Sequence, residues 1–405
     1  MRVLIIGINY RPEVSGIGPY TAGLAEHLAA RGDEVTVLTG LPSYPGWRLE
    51  RGTARRLLVT EVLDGVTLLR AAHYVPASQT AARRALYEGT FGLTGLLGSL
   101  RLKRPDAILG VIPSLSGGVL ARLTGQRLHA PYGLLFQDLM GPAAHQSGIS
   151  GGRVVARATG AAEAWAAAGA GAIGVVAETF FPYVASMGVP RGRTRHVPNW
   201  SRLIRPSLTP AETRRRFGWP DDLQVVLHAG NMGLKQGLEQ VVGAARLAAG
   251  QHAPVRFVLA GGGSQADTLR AAAEGLPTLD VLPVQPDGVH GSLLAAADVL
   301  LLSERATQID MSLPSKLTSY FAAGRPIVAA VPPAGASARE VERSGAGVVV
   351  PAGNPSAILD ALAVLRADEP RAARLAAAGP PYADANLGMA SCLARAAALV
   401  DMIAT

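Results

Sequence analysis

Lysine is scarce in this chain. Among 38 basic residues only Lys103, Lys235 and Lys316 are lysines, so the places that keep an ammonium group stand out. Lys235 lies in Gly230-Asn231-Met232-Gly233-Leu234-Lys235-Gln236-Gly237. Before it comes an apolar run, Val225 to His228; after it Leu238, Val241 and Val242 recur at helical spacing. A strand, a glycine-containing turn and a helix start make an anion site, because the first helical amides have no internal partner and the dipole end is positive. A compact ammonium in that turn adds a point charge suited to a phosphate. The alternative is an ordinary solvated loop lysine. The same choice stands for Lys316 at Pro314-Ser315-Lys316, a second turn-to-helix start. Gly261-Gly262-Gly263 follows another apolar run, Val255 to Ala260, with equally bare backbone.

Asp138 follows Gln137 at the carboxyl end of an apolar run, Tyr132 to Phe136. Ligands of open α/β sheets bind at such ends, so Asp138 is a candidate to touch a hydroxyl, with helix capping as the bland alternative. His145, in the same loop, is a weaker candidate. The loop Asn9–Gly18 brings Gly16 and Gly18, whose bare backbone lets a phosphate or sugar approach. A dinucleotide site is not indicated. Gly16-Ile-Gly18-Pro-Tyr-Thr21 lacks the third glycine, and the second strand, Glu34 to Thr39, ends without an acid for a ribose. Gly148-Ile-Ser150-Gly-Gly152 has the hydrolase spacing but follows a polar loop instead of a strand. No Asp-x-Asp pair stands at a strand end, so no divalent ion is expected. The single cysteine, Cys392, allows no disulfide or thiolate metal site within the chain.

Positioning these groups takes two domains, the natural expectation for 405 residues. Strand and helix patterns alternate throughout, which gives an α/β class with two doubly wound parallel sheets. Ser201 to Pro210 reads as the linker, and Thr209-Pro-Ala-Glu212 as a capping box opening a basic helix. The net charge of +8 favours an anionic partner: a nucleotide sugar, a phospholipid surface or nucleic acid. Without an aromatic-interleaved basic stripe or zinc-finger spacing, nucleic acid is the weakest of the three. Arg83 to Arg104 is helical, apolar in the middle and basic at the ends. It is either a core helix or one that lies on an anionic membrane. Val3 to Ile8 is too short for a signal sequence, and no run of ~18 apolar residues is present to span a membrane. The expected location is the cytoplasm, free or held at the inner membrane face.

In this order the motifs resemble the retaining GT-B glycosyltransferases of family 4, in the branch of colanic-acid-type exopolysaccharide enzymes. The marks are Gly7-Ile-Asn-Tyr-Arg-Pro-Glu13 with Gly16, Gly18 and Tyr20; Gln137-Asp138; Val197-Pro-Asn-Trp200; Gly230 to Gly237; Gly261 to Gly263; Ala296-Ala-Asp298-Val299; and Pro314 to Pro326. The resemblance implies two Rossmann-like domains facing a cleft. Residues 1–200 would bind the acceptor, residues 201–381 the nucleotide sugar, and a final helix of about 382–405 would cross back to the first domain. By position, Lys235 holds the donor diphosphate with Gly230, Asn231 and Gly233 around it. Gly16 and Gly18 close over phosphate or sugar, Gly262, Val284 and Gln285 line the nucleotide, and Ser315 and Lys316 point at phosphate or sugar. Two departures stand out. An arginine of many relatives is Asn231 here. The second glutamate of the family pair, which grips the ribose, is Ser319, and its first falls at Met311 beside Asp310.

The implied reaction moves a sugar, with retention, from a nucleoside diphosphate, most often UDP, to a hydroxyl on a lipid-linked glycan or a small scaffold. No cofactor or metal is implied. Asp138 orients the hydroxyl and His145 is a second catalytic candidate. Two other readings stand beside it: a nucleotide-sugar epimerase, which would need no acceptor, and a non-catalytic nucleotide-sugar-binding partner, motivated by Asn231 and Ser319.

Overall fold

The computed structural model describes residues 1–13, 16–43, 46–49, 56–77, 80–139, 152–201, 205–307 and 315–405. His145, Asp310 and Met311 lie outside the described residues. The chain divides into two compact units, Met1–Trp200 with Ala390–Thr405, and Ser201–Met389.

The first unit is built on β1 (Arg2–Ile6), β2 (Glu34–Gly40), β3 (Leu58–Leu63), β4 (Val66–Ala71), β5 (Ala107–Ile112), β6 (Tyr132–Phe136), β7 (Ile173–Val175) and β8 (Thr194–His196). Their order across the sheet is β3-β4-β2-β1-β5-β6-β7-β8. Every neighbouring pair is parallel except β3 with β4. β5 and β6 are buried at every position, as strands covered on both faces must be. The antiparallel hairpin turns at Asp64-Gly65, where φ is 51° and 79°. Both central residues of a type I′ turn need positive φ, and Asp-Gly is the sequence that tolerates it.

Helices α1 (Gly18–Ala30), α2 (Ala81–Ser99) and α3 (Leu115–Leu128) pack on this sheet. α1 carries Pro19 in its first turn, and the Thr80 hydroxyl caps α2 by accepting from the Arg83 amide. α2 stops at Ser99, short of the expected Arg104. The amides of Leu100, Arg101 and Leu102 turn to the carbonyls of Leu97, Gly98 and Ser99, tightening the chain ahead of Pro105. Tyr20 and Trp200 meet edge to face at 4.9 Å inside the core, and a Cβ on Gly23 would lie 2.6 Å from the Trp200 ring. These two family marks therefore serve packing.

The second sheet has β9 (Gln224–Asn231), β10 (Val255–Gly262), β11 (Leu279–Leu282), β12 (Val299–Ser303), β13 (Ile327–Val331) and β14 (Gly347–Pro351), in the order β11-β10-β9-β12-β13-β14 and all parallel. Its first helix opens with the expected capping box: the Thr209 hydroxyl accepts from the Glu212 amide at 3.3 Å, and Glu212 accepts from the Thr209 amide at 2.8 Å. β9 runs three residues past His228, because Gly230 and Asn231 still pair with Gly261 and Gly262.

The returning segment begins at Ala390, later than the expected 382, because Ala383 and Leu387 belong to the second unit's core. One window within Glu369–Ala404 is long and apolar enough to cross a membrane by composition, with a mean hydropathy of 1.6. The sequence expectation had no such run. The stretch breaks at Gly388 between two helices, Glu369–Leu387 and Met389–Ala404, and Cys392, Leu393, Leu399, Val400 and Ile403 are spent on the first unit's core.

Candidate functional site

Both sheets reverse strand order once, between β1 and β5 and between β9 and β12. At such switch points the loops leave in opposite directions and open a crevice at the carboxyl ends. Each unit gathers its polar groups there.

In the second unit the cluster is made by His228 on β9, Glu304 just past β12, and Lys316 at the start of the Lys316–Ala322 helix. His228 is fully buried; its Nδ1 lies 3.2 Å from the Leu301 carbonyl and its Nε2 lies 3.0 Å from the Lys316 Nζ. The carbonyl can only accept, so the network assigns the proton to Nδ1 and leaves Nε2 to accept from the ammonium. Burial, then the lysine charge, hold the His228 pKa far below the usual imidazole range. Burial also pushes Lys316 down to about 7, partly opposed by the Glu304 carboxylate. Burial pushes Glu304 up to about 7, opposed by the Ser337 hydroxyl, which donates to it at 2.7 Å, and by Lys316 and Lys235. One carboxylate thus sits in the field of both lysines singled out by the sequence.

Lys235 is exposed on a single 3-10 turn, Leu234–Gln236, one turn ahead of the helix Glu239–Gly250. Its carbonyl accepts from the Arg305 amide at 3.1 Å, which ties the turn to the end of β12. Gly230 has φ 136°, and a side chain there would lie 3.4 Å from Lys316 Cε and 3.7 Å from Nζ. The missing Cβ leaves room beside that ammonium for a phosphate oxygen. The Asn231 amide lies over Gly233 and Gly263. Gly233 itself is extended, with its amide donating to Gln236 Oε1 at 3.1 Å. Val284 is 73% exposed next to Gly262, an apolar surface fit for a nucleobase, while the Gln285 amide donates to the Pro283 carbonyl. Ser315 is exposed and makes no cap bond. Ser319 donates back to the Lys316 carbonyl at 2.9 Å, so its hydroxyl is held on its own helix.

In the first unit Asp138 and Gly16 line a cavity of about 170 Å³ together with Ile8, Asn9, Ile17, Trp47, Arg84, Tyr87, Glu88, Pro113 and Ser114. Gly16 has φ 69° there. Gly18 is buried as the first residue of α1, against Glu13, and takes no part in the lining. Gln137 turns inward, accepting from the Asn199 amide at 2.6 Å. Glu88 accepts from the Ser114 hydroxyl and the Ser116 amide, each at 3.0 Å, and is fixed at the start of α3. Trp47 and Tyr87 meet edge to face at 5.5 Å, with Arg84 over the Trp47 ring at 5.3 Å. Burial raises the Tyr87 pKa, and Glu88 and Glu13 add to it. An aromatic face beside two carboxylates and an amide can hold a polyol by its C–H surface and its hydroxyls.

Sequence reasoning missed His228, Glu304, Trp47, Arg84, Tyr87 and Glu88. Glu304 was open to the same strand-end argument that found Asp138. His228 was read only as the end of a strand, and the α2 residues only as a helix with basic ends. Among the described residues no three His, Cys, Asp or Glu side chains converge as a metal site.

Two Rossmann-like units, each with polar groups at its switch point, are the architecture of the GT-B fold. Residues 15–200 match the Glycosyl transferase 4-like domain, and residues 224–368 match the Glycosyl transferases group 1 domain. WcaI of Escherichia coli (strain K12), named for a glycosyl transferase role in colanic acid biosynthesis, is 33% identical over 343 residues, which are 80% of this chain and 82% of that protein. The chain belongs to this glycosyltransferase family. The fold is also that of sucrose-phosphate synthase from Thermosynechococcus elongatus, with TM-score 0.78, 17% identity and coverage of 100% and 99% of the two chains. Anabaena HepE in complex with UDP-glucose aligns with TM-score 0.71 and 15% identity over 99% of each chain.

Proposed function

We propose that this enzyme transfers a hexose from a UDP-sugar to a hydroxyl acceptor, with retention at the anomeric carbon and without a metal ion. The observation that supports it most is the Lys316 ammonium held 3.0 Å from His228 beside bare Gly230 at the second sheet's switch point, with Lys235 on the turn that follows β9. As the bond from the anomeric carbon to the β-phosphate oxygen breaks, its electron pair goes to UDP. The ammonium of Lys316, held by His228, and that of Lys235 on its exposed turn stabilise that charge where it develops. The departing phosphate takes the acceptor's proton while the acceptor oxygen bonds to the same face of the sugar. Asp138 accepts from the acceptor hydroxyl and orients it, and Val284 supports the base. His145 remains a candidate in the loop after Asp138. UDP bound in HepE complexes favours uridine as the base.

The test is a thermal-shift screen with UDP, GDP, dTDP and ADP, with and without EDTA, followed by the anomeric configuration of the product. Stabilisation by UDP alone, unchanged by EDTA, and a retained configuration are expected. An inverted product or a metal-dependent shift would overturn the mechanism. Lys235→Ala is expected to weaken UDP binding by roughly 1.5–3 kcal/mol, the range for a charged hydrogen bond; an unchanged titration with a folded variant would remove Lys235 from the site. Asp138→Asn keeps a polar group but loses the charge. It is expected to lower kcat about 10–100-fold with the UDP affinity intact, and a parallel loss of UDP affinity would contradict an acceptor-side role.

A second reading is favoured by Ser319, whose hydroxyl is bound to its own helix where the family carries a ribose-gripping carboxylate. In that reading the chain binds a nucleotide sugar without turning it over. Binding without product across an acceptor panel would support it.

A further inference from the structure

Helix α2 presents two chemically different sides. Tyr87 and Phe91 are buried, and Arg84, Tyr87 and Glu88 line the first unit's cavity. On the other side Leu86, Leu93, Leu97 and Leu100 are 50%, 64%, 45% and 59% exposed. Steps of seven, four and three residues put them in one stripe about 21 Å long at the helical rise of ~1.5 Å per residue. Single exposed leucines are ordinary, but four in register on one helix face form a patch. At the C-terminal end Gly98 packs beside Leu58 of the edge strand β3, next to which Leu57 and Val62 are also exposed. Arg83 stands exposed at the start of the helix, and Arg101 and Lys103 stand exposed just past its end. The helix's one acid, Glu88, is turned inward onto Ser114 and Ser116. The outer face therefore joins apolar surface to positive charge with no carboxylate on the helix to oppose it.

We propose that this face seats the enzyme on an anionic phospholipid surface. The leucines enter the acyl boundary, and Arg83, Arg101 and Lys103 lie among the headgroup phosphates. A second copy of the chain fits less well, since it would bring the same cations against one another. The consequence for the acceptor rests on the transferase reading: a helix held at the membrane by one side lines the acceptor cavity with the other, so the acceptor is one carried on a lipid. The surface contact itself does not depend on that reading.

The experiment is flotation of the full chain with vesicles of phosphatidylglycerol mixed equally with phosphatidylcholine, and with phosphatidylcholine alone. The variants are Leu93→Glu/Leu97→Glu and Arg101→Glu/Lys103→Glu. Both replace exposed side chains, and melting temperature and the UDP shift report on folding and the donor site. Wild type is expected to float with the anionic vesicles. Each double variant is expected to lose about tenfold in partitioning with its UDP shift unchanged. Equal binding to phosphatidylcholine alone, or undiminished binding of the leucine variant, would overturn the proposal. So would a dimer in light scattering that the leucine variant dissolves in the absence of any vesicle binding. Vesicle binding without any UDP shift would leave this surface standing and sink the donor assignment instead.

Discussion

Lys316→Met is expected to lower kcat by about 100–1,000-fold, the usual cost of removing one preorganised donor from a developing oxyanion. The lysine is half-buried, its ammonium held at 3.0 Å by an imidazole nitrogen that accepts from it, and it needs no reorganisation when charge appears beside Gly230. The same burial makes its charge conditional. With a ligand-free pKa of about 7, Lys316 is an ammonium below that pH and increasingly neutral above it. A diphosphate favours the charged form and raises the pKa, so above pH 7 binding takes up a proton, and affinity falls as the pH rises. Glu304 pushes the same way: its pKa is also about 7, and the carboxylate formed above that pH repels the diphosphate. Steady-state rates at saturating donor check the kcat loss, while the loss of UDP affinity in Lys316→Met should be largest near pH 6, where wild type carries the ammonium, and should shrink toward pH 9. Calorimetric UDP titrations of both proteins across this range measure it, and two buffers of different ionisation enthalpy count the proton. A cost that grows with pH would show that Lys316 is not the group that answers the phosphate.

Much of this architecture was legible because apolar runs and their punctuation are local. Val-Leu-Ile-Ile at β1 and Ala-Ile-Leu-Gly-Val-Ile at β5 read as buried parallel strands, and Thr209 to Glu212 announced its cap. Lys235 and Lys316 were legible for an uncommon reason, the near absence of lysine elsewhere. Their connection to Glu304 was not, since it joins a 3-10 turn, a strand end and a helix start that are far apart in sequence. The extent of β9 was misread for a similar reason. Gly230 breaks a strand by local rules, but pairing with Gly261 carries the strand through it. Tyr20 and Trp200 entered the sequence reading only as marks of the family; the structure gives them a packing role, ring against ring, with Trp200 over Gly23. The Asp64-Gly65 hairpin carried a clear local signal, an Asp-Gly pair between two apolar runs, that the motif-centred reading passed over. The α2 leucines show the converse limit: periodicity marks an apolar helix but not which of its apolar residues a neighbouring element covers.

Gly261→Ala is expected to lower the melting temperature of the second unit by on the order of 10 °C, from a loss of about 4 kcal/mol or more. Two costs combine. Gly261 has φ 152°, where a side chain is strained, and a Cβ there would overlap the Gly230 carbonyl oxygen. The chain has a control for the first cost alone: Gly353 has φ 79° with nothing within 4 Å of its missing Cβ, so Gly353→Ala should lower the transition by only about 3 °C. The difference between the two variants reports the close approach of the strand ends. It also reaches the site. Gly230 and Asn231 are held in place by this last stretch of the β9–β10 ladder, with Lys316 directly behind Gly230. Forcing the strands apart moves the bare backbone away from the ammonium it exposes. Gly261→Ala should thus lose UDP affinity at temperatures well below its own melting point, whereas Gly353→Ala should keep it. Equal melting shifts would show that the two strand ends are not in contact, and an intact UDP affinity in a destabilised Gly261→Ala would separate the ladder from the donor site.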